Sequence, residues 1–269
     1  MPESLLEVRD LSVVAGGTTV VEGVAFAVAR GGSLGIVGES GSGKSLTCRS
    51  VLGILPPGCT NGPGTSIRFD GAELTGLDEP AWRPYRGARI GAVFQDPASY
   101  LNPSIPVGRQ LAEVLRVRGG LGRRAARERA VTLLARTGLR EPARVAGQYP
   151  HELSGGMAQR ALIAIALALD PELLVADEAT TALDVTVQAE VLDLLADLRE
   201  RLGLALVLVS HDLAVVAQVC EEVLVLRDGA VVERGRAADV LRSPSHPYTR
   251  SLVESHERFG IERFREAVR

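Results

Sequence analysis

The stretch GESGSGKS, Gly38–Ser45, decides the fold of this chain. It fits the pattern G-x-x-x-x-G-K-[ST] and lies between LGIVG (Leu34–Gly38), which predicts a buried strand, and SLTCRSVLGIL (Ser45–Leu55), which predicts a helix. Glycines at these positions let successive backbone N–H groups point at phosphate oxygens, and the helix N-terminus adds partial positive charge. The sequence therefore predicts an α/β fold that holds phosphates at this loop.

Lys44 is the only lysine in a chain of 269 residues whose other strongly basic side chains are all arginine. Its ammonium is a mobile point charge that can reach the β and γ phosphates, whereas a planar guanidinium is wider and fits such a nest less well. The hydroxyl of Ser45 is expected to hold Mg²⁺. The residues of the loop expected to bind the phosphates of a nucleotide are Gly38, Glu39, Ser40, Gly41, Ser42, Gly43, Lys44, Ser45 and Leu46. The loop alone leaves kinases, GTPases, helicases and transporters open.

A second polar site follows the apolar strand LLVAD (Leu173–Asp177). Asp177 can orient Mg²⁺ through water, and Glu178 can polarise an attacking water. The same carboxylates could instead cap the helix that follows, so both interpretations stay open here. His211 follows a third apolar strand, ALVLVS (Ala205–Ser210), where it could reach the γ phosphate or have a structural role. Ligands bind at the carboxyl ends of such strands.

The rest of the chain is mainly helical in pattern. Apolar residues recur at helical spacing from about Val185 to Leu202, and residues 97–168 show helical periodicity with no convincing strand. The Arg-rich run RVRGGLGRRAARERA (Arg116–Ala130) is either a contact surface for an acidic partner or a solvated helix face. After Val232 the pattern predicts short polar helices.

Composition excludes several classes of protein. A hydrophobic content of 46% and a net charge of −3 fit a soluble globular chain and argue against a nucleic-acid binder, which usually carries a basic excess. Apolar segments such as LIAIALAL (Leu162–Leu169) are shorter than the roughly 18 residues that a membrane span needs. The N-terminal MPESLLEVRD shows no signal-peptide pattern, and three cysteines without a C-x-x-C pair fit a reducing compartment, so we expect a cytoplasmic protein.

Six motifs in order resemble one family. LSGGMAQR (Leu153–Arg160), together with the phosphate loop and four further motifs, closely resembles the ATP-binding subunits of ABC transporters, over nearly the whole chain. The further motifs are FQDP (Phe94–Pro97), LLVADE (Leu173–Glu178), TALD (Thr181–Asp184) and SHD (Ser210–Asp212). The resemblance implies a P-loop NTPase core of the ABC ATPase type, with an N-terminal antiparallel β portion, over residues 1–96 and 169–232. It further implies an inserted helical subdomain over 97–168 and a short C-terminal helical tail over 233–269.

The resemblance also implies a head-to-tail dimer of cassettes. Each ATP would lie between the phosphate loop of one subunit and the LSGG segment of the other. Ser154, Gly155 and Gly156 open a predicted helix, so their amides would form a second anion nest for the partner's ATP. Asp184 would cross the dimer interface.

The family assigns catalytic and metal-binding roles to residues of this sequence. Glu178 would be the general base, and His211 would hold the γ phosphate. Gln95 would contact both Mg²⁺ and the attacking water. The implied ligands of Mg²⁺ are Ser45, Gln95 and Asp177, and Asp177 also counts among the nucleotide-binding residues.

Within this family, further stretches resemble the peptide and nickel uptake subfamily. They are FQDPASYLNP (Phe94–Pro103), YPHELSGGM (Tyr149–Met157), TTALDVTVQAEVLDLL (Thr180–Leu195) and HPYTRSL (His246–Leu252). GKSLTCRSVLGILPPG (Gly43–Gly58) and TRSLVESHERFGIERF (Thr249–Phe264) are most similar to the nickel-type subunit. The implied cargo is nickel or another metal chelate, and the alternative cargo is a dipeptide or oligopeptide.

The subfamily implies partners and a location. Two integral membrane permease subunits, a second ATP-binding chain of different sequence and a periplasmic or extracellular substrate-binding protein are expected, with no nucleic acid. The chain would lie peripherally on the cytoplasmic face of the bacterial cell membrane. Ala15 stands where the family usually has an aromatic that stacks on adenine, so weak discrimination between ATP and GTP is expected.

Two other classes stay open. A soluble ABC ATPase acting as an assembly or ribosome-associated factor usually has two cassettes in one chain or extra arms, whereas this sequence has one cassette. A regulatory module would bind ATP without turnover, and the presence of Glu178 argues against it.

Overall fold

The computed structural model describes residues 4–179 and 184–258. The chain divides into two compact units, the first from residues 1–83 and 203–269 and the second from residues 84–202. The strands are β1 (Ser4–Ala15), β2 (Thr18–Ala29), β3 (Ser33–Val37), β4 (Cys59–Asn61), β5 (Ser66–Phe69), β6 (Ala72–Glu73), β7 (Ile90–Val93), β8 (Leu173–Asp177), β9 (Ala205–Ser210), β10 (Glu222–Arg227) and β11 (Ala230–Arg236). The helices are α1 (Lys44–Val51), α2 (Glu79–Trp82), α3 (Pro97–Tyr100), α4 (Val107–Val117), α5 (Arg123–Arg136), α6 (Pro142–Val145), α7 (Gly155–Ala166), α8 (Val185–Leu202), α9 (Leu213–Val219), α10 (Ala237–Arg242) and α11 (Pro247–Arg258).

The first unit contains an antiparallel sheet and a mixed sheet. β1 pairs with β2, β4 and β5 in the antiparallel sheet, and β6 pairs with β5. In the mixed sheet β3 runs parallel to β10 on one side and to β9 on the other, and β11 returns antiparallel to β10. These sheets confirm the expected α/β core and the N-terminal antiparallel portion.

Helix α9 packs closely on β3, whose five residues are all buried. A Cβ atom at Gly35, in the middle of the strand, would lie 1.9 Å from Cγ1 of Val216 on α9. Any side chain at this position would overlap Val216, so Gly35 permits the close approach of helix and strand. This packing fixes the strand from which the phosphate loop emerges.

Helix α1 is shorter than the sequence predicts. The helix was expected to continue to Leu55, but it ends at Val51 because Gly53 adopts a left-handed conformation with φ of 63°. The N–H of Gly53 donates to the carbonyl of Ser50, and the N–H of Ile54 donates to that of Arg49. This pair of bonds closes the helix as a Schellman motif, for which glycine is the preferred residue.

The second unit combines one parallel strand pair with helices. β7 and β8 are parallel neighbours, and every regular element between Pro97 and Ala166 is helical, as the sequence predicts. The bounds predicted for β8, α8 and β9 are confirmed to the residue. β11, however, extends to Arg236, beyond the expected start of the tail at residue 233, because its pairing with β10 continues to the end of that hairpin. No helix in the described part of the chain is long and apolar enough to cross a bilayer.

The side chain of Glu73 stabilises the β5–β6 hairpin of the first unit through hydrogen bonds. Its carboxylate accepts hydrogen bonds from the N–H groups of Ile67 and Thr75, at 3.0 and 3.1 Å, and from the hydroxyl of Ser66 at 2.6 Å. Burial alone would raise the pKa of Glu73, but the hydrogen bonds outweigh it and lower the pKa from 4.5 to about 2. The charged form therefore stabilises the hairpin.

Replacing Glu73 by Gln is expected to lower the free energy of unfolding at pH 7 by about 1 kcal/mol, a modest value because the side chain is 41% exposed and solvent screens its charge. A folded pKa below the unfolded one gives stability that is complete above the unfolded pKa and is lost as the pH falls. Urea unfolding from pH 8 downward should therefore show a constant difference between the two proteins that shrinks below pH 4.5. Glu22→Gln, on β2, is the control, and an equal loss in that variant would contradict the assignment.

Candidate functional site

The phosphate loop joins β3 to α1 in the first unit, as predicted. At two positions of the loop, only glycine fits, because a side chain would overlap neighbouring atoms. A Cβ atom at Gly38 would lie 2.2 Å from the carbonyl oxygen of Leu226. Gly43 has φ of 98°, and a Cβ atom there would lie 2.9 Å from Cγ2 of Val21. The loop is thus packed closely against β2 and β10.

Lys44 is 4% exposed, and its ammonium lies inside the loop. The Nζ atom donates to the carbonyl oxygens of Gly38 at 2.7 Å and Glu39 at 2.8 Å. A buried ammonium is costly unless it is hydrogen-bonded, so these carbonyls stabilise it before any ligand binds. The hydroxyl of Ser42 is buried and has no hydrogen-bond partner within the described residues. A site with a fixed cation, an unpaired hydroxyl and a helix N-terminus fits an anionic phosphate group.

His211 lies at the same sheet edge as the phosphate loop. β3 and β9 are parallel with Val37 opposite Ser210, so Gly38 and His211 each follow a paired strand end. His211 is exposed. The turn that carries it is held by Asp212, which caps α9 by accepting from the N–H groups of Ala214 at 2.8 Å and Val215 at 3.1 Å. The structure therefore brings His211 toward the face on which phosphates would bind.

Asp177, Glu178 and Gln95 form a corresponding set at the strand ends of the second unit. Val93 of β7 lies opposite Ala176 of β8, so Gln95 and Glu178 each stand two residues beyond a matched pair. Asp177 is 5% exposed, whereas Gln95 is exposed. The parallel register thus places a buried carboxylate, a second carboxylate and an amide along one edge.

Glu178 has a strained backbone. Its φ of 50° lies in the left-handed region, which costs a non-glycine residue on the order of 1–3 kcal/mol. Such strain persists only where the surrounding structure imposes it, and it is concentrated at functional sites. The same left-handed φ occurs at five other acidic residues, Asp10, Asp70, Glu141, Asp170 and Asp228, so φ alone does not mark Glu178 as catalytic and its position at the end of β8 carries the assignment.

Asp184 caps the helix that follows. Its carboxylate accepts from the N–H of Val187 at 3.0 Å, and its carbonyl accepts from Gln188 at 2.8 Å. The capping role left open for Asp177 and Glu178 is therefore filled by Asp184, which is itself exposed. The remaining residues of the TALD motif, 181–183, lie outside the described residues.

The signature segment begins α7 in the second unit. The hydroxyl of Ser154 accepts from the N–H of Met157 at 3.3 Å, which caps the helix. Ser154 and Gly155 are exposed, so this helix N-terminus is open at the surface. A Cβ atom at Gly156 would lie 2.5 Å from Cγ1 of Val187 on α8, so glycine there permits the packing of α7 against α8. Glycine at position 156 is therefore needed for helix packing, in addition to its predicted role as an amide donor to the partner's ATP.

Tyr248 belongs to this site, although no sequence pattern indicated it. Its hydroxyl accepts a hydrogen bond of 2.8 Å from the N–H of Glu39 in the phosphate loop. The stretch HPYTRSL marks a subfamily but gives no sign of this contact, because the partners are 209 positions apart.

Comparison with known proteins gives a consistent result. The family model described as "ABC transporter" matches residues 21–181. The "Probable peptide ABC transporter ATP-binding protein y4tR" of Sinorhizobium fredii is 47% identical over 255 residues, which are 93% of this chain and 76% of that protein. The "Dipeptide transport ATP-binding protein DppD" of Haemophilus influenzae is 42% identical over 262 residues, 96% of this chain and 79% of that protein.

Solved structures agree with the sequence relatives. CbiO1 from Clostridium perfringens, part of the ABC transporter complex cbiONQ, has a TM-score of 0.78 at 28% identity, covering 90% of this chain and 92% of that one. The dimeric ATP-binding cassette MJ0796, in a post-hydrolysis state bound to ADP and Pi, has a TM-score of 0.74 at 28% identity, covering 86% and 98% of the two chains. Agreement in sequence, fold and loop geometry shows that the chain belongs to the ABC transporter family, as a subunit that binds and hydrolyses ATP.

Proposed function

We propose that this chain hydrolyses ATP to drive a membrane importer of peptides. The observation that carries the proposal is the buried ammonium of Lys44 inside an anion-binding loop. The cargo is inferred from relatives, because the similar proteins named above carry peptide and dipeptide transport names. Their names do not mention nickel, so the peptide alternative is the one we propose in place of the nickel-type reading.

The residues of the site have chemically suitable roles in hydrolysis. The phosphate loop would hold the β and γ phosphates through its amides and Lys44. Glu178 would accept a proton from water as that water attacks the γ phosphorus, while the bond to the bridging oxygen of ADP breaks. His211 would donate a hydrogen bond to a γ-phosphate oxygen, and Gln95 would orient the water.

Mg²⁺ suits the oxygen donors that this chain offers. The carboxylate of buried Asp177, the amide oxygen of Gln95 and the hydroxyl of Ser45 are hard ligands of the kind that Mg²⁺ prefers. We propose these three as its protein ligands. When bound, the ion would neutralise charge on the phosphates.

A second ATP-binding subunit would complete each site. The N-terminus of α7 at Ser154 and Gly155 is exposed, as a surface that binds a partner's nucleotide must be. We propose a head-to-tail dimer with a cassette of different sequence, in which Gly156 and Asp184 also face the partner. The division into core, helical subdomain 97–168 and tail is part of this proposal. We also propose that the cassette discriminates weakly between ATP and GTP, because Ala15 provides no aromatic ring to stack on the base.

The permease subunits would dock on an arginine-lined groove in the second unit. This open groove of about 710 Å³ lies between α4, α5 and the turn at Ala146 and Gly147. Arg109, Arg123 and Arg127 line it, beside an ion pair of Arg116 with Glu113, and the guanidinium groups of the first three have no hydrogen bond or ion pair with any described residue.

Three cations that have no partner among residues 4–179 and 184–258, placed around one concave surface, suit a segment of another protein that carries carboxylates. We therefore propose an acidic segment of a permease as the occupant. The chain would accordingly lie on the cytoplasmic face of the membrane, in a complex that includes a substrate-binding protein.

Steady-state ATP turnover of the purified chain tests the proposed hydrolysis. Glu178→Gln should lower turnover by about 100-fold or more, because a general base contributes that much, and should still bind MgATP. Glu200→Gln, an exposed position at the end of α8, should have no effect. Adding permease and partner cassette should raise the wild-type rate. Turnover independent of Glu178 would contradict the base assignment, and turnover that no permease changes would favour a soluble factor.

Charge reversal tests the groove. Arg127→Glu should weaken binding of the permease subunits by about tenfold or more, because like charges would face each other across the interface. Arg124→Glu is the matched control, since Arg124 is on the same helix but does not line the groove and pairs with Glu128 at 2.9 Å. The measurement is co-purification and titration with permease in detergent. Equal losses in both variants would contradict docking at this groove.

A further inference from the structure

The segment after β11 folds back onto the phosphate loop within the first unit. Tyr248, in the first turn of α11, is 6% exposed. Its hydroxyl accepts the 2.8 Å hydrogen bond from the N–H of Glu39. Glu39 is the second residue of the loop, so a side chain from the tail contacts the backbone that surrounds the predicted nucleotide site.

One peptide group connects Tyr248 to Lys44. The carbonyl oxygen of Gly38 accepts from Nζ of Lys44 at 2.7 Å, and the N–H of the next residue, Glu39, donates to Tyr248. These two atoms are opposite ends of a single planar peptide unit. The unit cannot rotate without breaking one of the two bonds, so the hydroxyl of Tyr248 fixes the orientation of a carbonyl that holds the Lys44 ammonium.

The tail is itself firmly anchored. The carboxylate of Glu233 on β11 accepts from the N–H groups of Ser245 at 2.7 Å and His246 at 3.0 Å. Burial opposes the charged form, but hydrogen bonds outweigh it and hold the pKa of Glu233 below its usual value. The N–H of Tyr248 donates to Nδ1 of His246, and the guanidinium of Arg227 lies 5.1 Å from the centre of the tyrosine ring. The Arg227 contact lies on the ring, and the contacts of Glu233 and His246 hold the backbone that carries it.

We propose that Tyr248 is a positioning residue for ATP: its hydroxyl holds the Gly38–Glu39 peptide, and thereby the Lys44 ammonium, in the geometry that binds phosphate. This role rests on the proposed binding of ATP at the phosphate loop. Tyr248 acts through the backbone and does not touch the nucleotide. The tail segment from Ser245 to Tyr248 is accordingly part of the nucleotide site of this chain rather than an appendage to it.

Tyr248→Phe removes only the oxygen atom and tests the proposal. The Kd for MgATP, measured by titration calorimetry on the full chain, should rise by about threefold to tenfold, the range for loss of one hydrogen bond. The melting temperature should change little, because the ring and its packing remain. Leu252→Ala is the control, since Leu252 is also buried on α11 at 6% exposure. It should lower the melting temperature while leaving the Kd within twofold of wild type.

An unchanged Kd in Tyr248→Phe would overturn the proposal. So would a rise in Kd that Leu252→Ala reproduces, because the effect would then come from loosening of the tail. If the wild-type chain itself fails to bind MgATP, the proposed function fails instead, and the two failures are therefore distinguishable.

Discussion

The hydrogen bonds that bury the ammonium of Lys44 are the interaction on which the rest of this structure depends. A lysine that is 4% exposed needs acceptors, and it finds them in the carbonyls of Gly38 and Glu39. Turning both carbonyls inward requires the loop to lie against β10, where only glycine fits beside the carbonyl of Leu226. β10, its hairpin partner β11 and the tail segment therefore together hold the backbone of Gly38 and Glu39 in place.

Parallel register explains how each unit gathers its own polar residues. In the first unit the ends of β3 and β9 are level, which places the phosphate loop beside His211. In the second unit the ends of β7 and β8 are level, which places Gln95 beside Glu178. Each set comes from segments far apart in sequence, yet needs only that apolar strands pair in register. The left-handed φ of Glu178 then ends the extended backbone of β8.

Local patterns explain why much of the fold could be predicted from the sequence. The strands Leu173–Asp177 and Ala205–Ser210 are short apolar runs ended by polar residues, and both were predicted with their correct bounds. The end of α1 was wrong because apolar residues continue to Leu55, while Gly53 closes the helix earlier through its left-handed conformation. Loop, strand-end carboxylates and signature segment were likewise found from motifs, although their proposed roles stay predictions.

The contacts that escaped prediction depend on tertiary structure. No local pattern pairs Tyr248 with Glu39, since only the folding of the tail brings them together. The arginine-lined groove was not predicted. The Arg-rich run 116–130 indicated only a contact surface or a solvated helix face, because whether a guanidinium finds a partner depends on the neighbouring helices.

The Kd for MgATP in Lys44→Ala measures how much the buried ammonium contributes to phosphate binding. Arg49→Ala is the matched control, because Arg49 is a cation on the same helix, in its last turn. The Kd should rise by about tenfold or more in Lys44→Ala, equivalent to about 1.4 kcal/mol, and should stay near the wild-type value in Arg49→Ala. Equal affinity of wild type and Lys44→Ala, with both proteins folded, would show that the buried ammonium does not bind phosphate.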